Sequence, residues 1–455
     1  MSDSTPSSAT SVPLTTRLLR YVLRLAGDVS VDETRDVVVM FFNIFLLLIA
    51  YYVLKTVREP LILASGAELK SYAAAAQAGV LLFYVPLYGA LATRLPVNKL
   101  VTRVNLAMVV CIELFFLLGR AGLPGVGFAF YVFVGIFSLT LIAQFWSFAN
   151  DIYAKAEGDR LFPVIAVGAT AGAPLGAALA SELFSKGVSP WLMMQIAVVL
   201  LLAHTAFYTW VRRRGSGQAK GKTESSANGF SLVFGSRYLQ LIGVLLIVLN
   251  IVNTTGEYVL STLVTQRADA LAPTIPGFNK EAFIGEFYGD YFFWVNIASV
   301  LLQMFAVSRI VKKFGMGGML FTMPLVALGA YSLVTIGAGI ALVRWIKTAE
   351  NACDYSVMNT TKQMLWLPTT REEKYAAKQA IDTFFVRFGD MISAGVVFIG
   401  TRLALSISQF AATNLGFVVL SLIVAWLLLR EYQRLTGVPV PAAPAAGPVR
   451  IANAH

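Results

Sequence analysis

The chain has 455 residues, 57% of them hydrophobic and only 13% charged, with a mean hydropathy of +0.69. A water-soluble protein of this size cannot hide so much apolar surface, so lipid is the solvent this composition calls for. The formal charge of +11 does not point to nucleic acid, because the Lys and Arg residues cluster in short stretches between apolar runs.

Residues 1–34 begin Ser/Thr-rich and then place Arg17, Arg20 and Arg24 among leucines at spacings of three and four. That pattern predicts a disordered start followed by an amphipathic helix lying on a membrane surface, with no cleavable signal peptide. From there about 20 apolar residues at a time cross a bilayer. Twelve such spans are read, at 37–58, 72–93, 99–119, 126–150, 161–184, 190–211, 238–263, 287–308, 315–338, 340–366, 376–401 and 410–430. The expected class is therefore all-α and polytopic. Its parts are a six-helix half at 35–211, a basic Gly/Ser-rich linker at 212–237, a second half at 238–434 and a Pro/Ala-rich disordered tail at 435–455. With both termini inside, Lys and Arg favour the cytoplasmic segments by roughly three to one, a strong orientation signal.

An internal repeat supports the division. Tyr52 to Thr56 (YVLKT) in the first span matches Tyr258 to Thr262 (YVLST) in the seventh, and Ser147 to Asn150 (SFAN) in the fourth matches Ser356 to Asn359 (SVMN) in the tenth. Two matches at nearly equal offsets, each linking a span to the span six later, describe parallel six-helix halves of a major-facilitator-like transporter, with a site between them near the midplane.

Ionisable residues within the bilayer are expensive and should face a cavity or a partner. In span ten, Arg344, Lys347, Glu350, Asp354 and Lys362 fall on one stripe about 120° wide and about 27 Å long, with Asn351 and Tyr355 on or beside it. A stripe lining water is expected; the alternative is a set of internal ion pairs such as Lys347–Glu350. Span eleven adds Lys378, Asp382, Arg387 and Asp390. Lys55, Arg58 and Glu59 close span one, where Lys55 either faces the cavity or snorkels to the outer leaflet. Glu113 and Glu257 read equally as structural partners of a base or as proton or substrate sites. Asn250 and Asn253 give span seven hydrogen-bonding capacity, and Gly168, Gly172 and Gly176 form a ridge for close helix packing. Cys111 and Cys353 read as small buried hydrophobes. His204 and His455 are the only histidines, and no nucleotide loop, acidic metal pair or nucleophile motif is present, so neither an enzyme nor a metal or other cofactor is expected.

One stretch goes further. Tyr355 to Pro368 (YSVMNTTKQMLWLP) resembles a signature of the ATP/ADP translocases of plastids and intracellular bacteria, approximately YSLFDPTKEMAYIP. The likeness continues without a gap through Glu372, Lys374, Lys378, Ala380, Ile381, Asp382, Arg387 and Gly389. In the first half, Phe145 to Asn150 (FWSFAN) and the series Glu157, Arg160, Pro163 resemble the family's FWGFAN and EAKRFYP. Lys55 falls where the family has a first-helix lysine implicated in transport. Asn359 and Gln363 stand where the family has acids, Asp390 where it has a lysine, and Val134 near the place of an upstream acid. The resemblance implies an alternating-access carrier of nucleotides or related phosphorylated anions, ATP/ADP-exchanging in type.

The site residues expected on these grounds are Lys55, Arg58, Asn150, Glu257, Lys347, Glu350, Asp354, Asn359 and Lys362 for substrate, with Glu113, Asp382 and Arg387 as coupling candidates. The expected partners are a small anionic molecule, ATP, ADP or another anionic metabolite, and membrane lipid, with no nucleic acid and no protein partner indicated. A proton-coupled carrier of another solute and a non-transporting scaffold are the competing expectations.

Overall fold

The computed structural model describes Ser30 and residues 33–94, 97–153, 155–212 and 229–437. The expected N-terminal amphipathic segment, most of the linker and the C-terminal tail lie outside the described residues. Those described are almost wholly helical. Six helices come first: α1 (Thr34–Leu63), α2 (Ala67–Arg94), α3 (Val97–Arg120), α4 (Val126–Ile152), α5 (Lys155–Ser185) and α6 (Pro190–Arg212). After a short helix at Gly229–Gly235 comes α7 (Arg237–Leu271).

Among the described residues, ten stretches are long and apolar enough to cross a bilayer, and one of them, Lys280–Thr335, contains 56 residues. At helical rise that is about 84 Å, nearly three hydrocarbon cores, so it must turn back. It does so at Gly315, where φ of 58° and ψ of −149° break the helix without a loop. Contacts with the next segment fix the sense of the turn. Arg344 bonds Asp290 and Thr360 bonds Gln303, so the piece before Gly315 runs parallel to that segment. Tyr331 bonds Glu350 and Thr361 bonds the Met319 carbonyl, so the piece after it runs antiparallel. The stretch therefore supplies two spans, α8 (280–314) and α9 (316–335). The partner segment, α10 (340–365), is too charged to stand among the ten. It crosses all the same, as helix, a π turn over Asp354–Met358 and helix again. With α11 (Glu373–Arg402) and α12 (Ile407–Thr436) the spans number twelve.

Local chemistry sets the ends. Asn279 caps α8 by accepting from the Ala282 amide at 3.0 Å. Ser406 and Gln409 form a reciprocal capping box at the start of α12, and Gly437 closes that helix in the left-handed conformation. Twelve crossings place the starts of α1 and α7 and the end of α12 on one face, hereafter the termini face.

Packing follows small residues. Gly168, Gly172 and Gly176 of α5 lie on the backbone of α1, and a Cβ on Gly172 would sit 2.6 Å from the Phe45 carbonyl oxygen. The ridge read in the sequence is thus a backbone-to-backbone seam. A second seam joins the two halves: Gly285 and Gly289 of α8 rest on Phe184 and Ser181 of α5. Nearby, Tyr52 donates to Asn296 at 2.9 Å, and the Tyr72 and Phe398 rings meet edge to face. These contacts lie toward the face opposite the termini.

Candidate functional site

Between the halves lies a cavity of about 430 Å³, walled by α1, α2 and α4 on one side and α7, α8, α10 and α11 on the other. A smaller cavity shares Asn250, Asn253 and Asp354 with it and is lined by Met358 and Lys362, leading toward the termini face. The far face is sealed by the Gly285/Gly289 seam.

Five expected site residues line the main cavity: Lys55, Arg58, Glu257, Asp354 and Arg387. Lys55 is 7% exposed and does not reach lipid headgroups. Its ammonium stands over the Phe292 ring at 4.2 Å, with Tyr52 at 5.0 Å and Tyr355 at 5.8 Å. Such faces stabilise a cation by about 0.5–2 kcal/mol without neutralising it. Arg58 pairs with Glu59 at 3.0 Å and stacks over Tyr131 at 4.3 Å.

Glu257 is the hub that ties the halves together. It meets Lys70 of α2 at 3.3 Å and accepts from Tyr291 of α8 at 3.1 Å and Asn351 of α10 at 3.0 Å. Lys347 is 3.9 Å away. Lys70 also pairs with Glu59 at 2.8 Å, so a chain of alternating charge, Arg58–Glu59–Lys70–Glu257–Lys347–Glu350, crosses the interface.

Lys347 and Glu350 do not line the cavity. They are 1% and 0% exposed and pair at 2.9 Å in the contact of α10 with α7 and α9. There the Lys347 ammonium also donates to the Asn253 side chain at 3.0 Å, and Tyr331 donates to Glu350 at 2.9 Å. The expectation of one water-lining stripe is corrected accordingly. On α10 the cavity-lining residues are Asn351, Asp354 and Tyr355, while Arg344 pairs with Asp290. The π turn at Asp354–Met358 also breaks the 100° register used to place Lys362, which lies 3.7 Å from Asp354 beside the smaller cavity.

The rest lie elsewhere. Asn150 and Asn359 are exposed near the termini face. Asp382 is exposed and borders a side cavity shared with Arg387, Tyr84 and Tyr88. Glu113 accepts from Gln195 at 3.0 Å where α3 meets α6, away from the main cavity. Arg387 pairs with Asp390 at 3.2 Å, and Asp390 accepts from Asn250 at 2.7 Å.

Two residues that the sequence did not single out belong to the site. Lys70 falls between the first two expected spans, 37–58 and 72–93, but α2 begins at Ala67 and carries it into the helix, 5% exposed. Its only signal is a polar run, Glu68, Lys70 and Ser71, immediately ahead of the apolar window. Tyr131 presents its ring to Arg58, and in the sequence it is one aromatic among many.

Twelve spans around a polar cavity, sealed on one face by a glycine seam, define a multi-pass membrane protein of the major-facilitator type. Solved structures share the architecture: a nucleoside transporter, NupG, aligns with a TM-score of 0.65 at 12% identity over 87% of this chain and 99% of its own. PepTSo, a POT family transporter, aligns at 0.61 and 13% identity over 88% and 98%. More specifically, residues 127–433 match the TLC ATP/ADP transporter family, and the chain belongs to it. ADP,ATP carrier protein 1 of Chlamydia pneumoniae is 28% identical over 348 residues, 66% of this chain and 65% of that protein. ADP,ATP carrier protein 2, chloroplastic, of Arabidopsis thaliana is 23% identical over 375 residues, 69% and 58%. The chain thus spans less than two thirds of the length of these relatives.

Proposed function

We propose that the protein is a secondary transporter that moves nucleotides or closely related phosphorylated anions across a bacterial inner membrane by alternating access, with its termini in the cytoplasm. The observation that carries this is Lys55: a buried ammonium with aromatic neighbours and no carboxylate against it, facing an enclosed polar cavity between two helical halves. A cation held in that way is a standing site for a substrate anion. Membership in the TLC ATP/ADP transporter family and similarity to ADP,ATP carriers support the same substrate class. In the conformation seen, the cavity is closed on the face opposite the termini; rocking of the halves about it would open that face.

The test is counter-exchange in proteoliposomes, loading adenine nucleotides inside and following labelled nucleotide uptake. Lys55→Ala is expected to lower uptake at least about tenfold, corresponding to a lost charge-assisted contact of about 1.5–3 kcal/mol. Wild-type vesicles that exchange no nucleotide, or a Lys55→Ala protein as active as wild type, would sink the proposal.

A further inference from the structure

A side cavity of about 250 Å³ adjoins the main one, and the two share Arg387. Along α2 the lining passes from Gln77 in the main cavity to Leu81, Tyr84 and Tyr88 in the side cavity. Along α4 it passes from Ser138 to Leu139 and Ala143, and along α11, which runs the other way, from Asp390 back to Thr383 and Asp382. Successive positions are a helical turn or so apart, so the side cavity continues the main one toward the termini face.

The two compartments differ in chemistry. Four cations and four carboxylates line the main cavity, and its aromatic rings are already engaged: Tyr131 by Arg58 at 4.3 Å, Tyr355 by Lys55 at 5.8 Å and Tyr258 by Phe410 at 4.8 Å. An uncharged ring set among those charges costs them hydration and gives nothing in return. The side cavity is walled instead by Leu81, Val85, Leu139, Ala143 and two tyrosines. The Tyr84 hydroxyl bonds that of Thr140 at 2.9 Å, and Tyr88 accepts from Gln144 at 3.1 Å. Both rings are thereby pinned to α4, 21° from parallel. The charged groups here are Asp382, an acceptor, and Arg387, a donor. A fixed aromatic wall, apolar sides and one group of each kind to meet an edge are the complement of a nucleobase. The cavity is smaller than the roughly 300–1,000 Å³ that a whole ligand takes, so it suits one end of a molecule that extends into the main cavity.

Resting on the reading of the protein as a carrier of nucleotide-type anions, we propose that the side cavity is the subsite for the base. The phosphates lie in the main cavity beside Lys55, the base lies against Tyr84 and Tyr88, and Arg387 stands at the junction. Tyr84, Leu139 and Ala143 are then specificity residues, which let the protein tell a nucleotide from a sugar phosphate of equal charge.

The experiment measures dissociation constants of the full chain in detergent for ATP and for ribose 5-triphosphate, which lacks only the base. The wild type is expected to bind ATP at least about tenfold more tightly, the order of one base–aromatic stack. Ala143→Phe, which fills the cavity from α4, and Tyr84→Leu, which removes a ring from its wall, are each expected to bring ATP down to the affinity of ribose 5-triphosphate. Binding of ribose 5-triphosphate itself should not change, which separates loss of the base contact from misfolding. On the wild type, photolabelling with 2-azido-ATP is expected to mark side-cavity residues of α2, α4 or α11, and this decides where a variant does not fold. Equal wild-type affinities, an ATP preference kept by both variants, or a label confined to the main cavity would overturn the base subsite and leave the carrier reading intact. Binding of neither compound would overturn the carrier reading and this inference with it.

Discussion

Removing the ammonium of Lys347 is expected to destabilise the protein more than it impairs any contact with substrate. Its Nζ is buried against Glu350 at 2.9 Å and Asn253 at 3.0 Å, and Glu350 has no exposed surface. In Lys347→Met the carboxylate of Glu350 keeps only the Tyr331 hydroxyl, at 2.9 Å. Breaking one side of a buried pair costs about 3–5 kcal/mol, whereas replacing both members by apolar groups of similar volume is often neutral or stabilising. Thus Lys347→Met should lower the detergent melting temperature by several degrees, Glu350→Leu should do likewise, and the double variant should recover most of the loss. The coupling expected from this cycle is about 2–4 kcal/mol. The assay is thermal unfolding of purified protein followed by size-exclusion chromatography, with transport measured in parallel on whatever remains folded. A Lys347→Met protein as stable as wild type, or a double variant as unstable as the two losses added, would show that the pair does not neutralise itself and would refute the reasoning.

Two further outcomes follow from packing and from pH. Gly172→Ala places a methyl group 2.6 Å from the Phe45 carbonyl oxygen and must part α5 from α1, at about 1–3 kcal/mol. Gly79→Ala, which meets nothing within 4 Å, should be neutral or stabilising by about 1 kcal/mol in the same melting assay. At the termini face, Arg160 donates to Glu33 at 2.6 and 3.0 Å and holds its carboxyl down at about 2. A carboxyl lowered on folding stabilises the protein above its unfolded value and loses that contribution as pH falls toward its folded one. Melting curves of Glu33→Gln should therefore decline less than wild type between about pH 5 and pH 2; parallel declines would count against the pairing.

Much of the architecture is legible in the sequence because span length and apolarity are one-dimensional properties. The twelve stretches are there to be read, including α8 and α9, which a length criterion fuses across Gly315. The glycine ridge on α5 is legible for the same reason, since spacing by four residues is itself the contact. What spacing does not give is which neighbour lies across a helix face. The wheel put Lys347 and Glu350 on a polar stripe with Asp354, but Asn253 and Tyr331, from α7 and α9, close over the first two and leave only Asp354 facing the cavity. Lys70 escaped because its helix starts at Ala67, before the apolar window does. The π turn at Asp354–Met358 carries no sequence mark, yet it ends the regular register along α10.

The Gly285/Gly289 seam has a mechanical consequence. With no Cβ on either residue, Phe184 and Ser181 seat in a notch instead of interlocking with long side chains. A notch of this kind works as a detent: it fixes one position sharply, yet releases without rotamers having to be threaded past each other. In the alternating-access reading proposed above, its place near one end of the two halves makes it a fulcrum, where a small slip becomes a wide movement at the other end. The residues at the hinge are then two glycines, with no side chain to contribute.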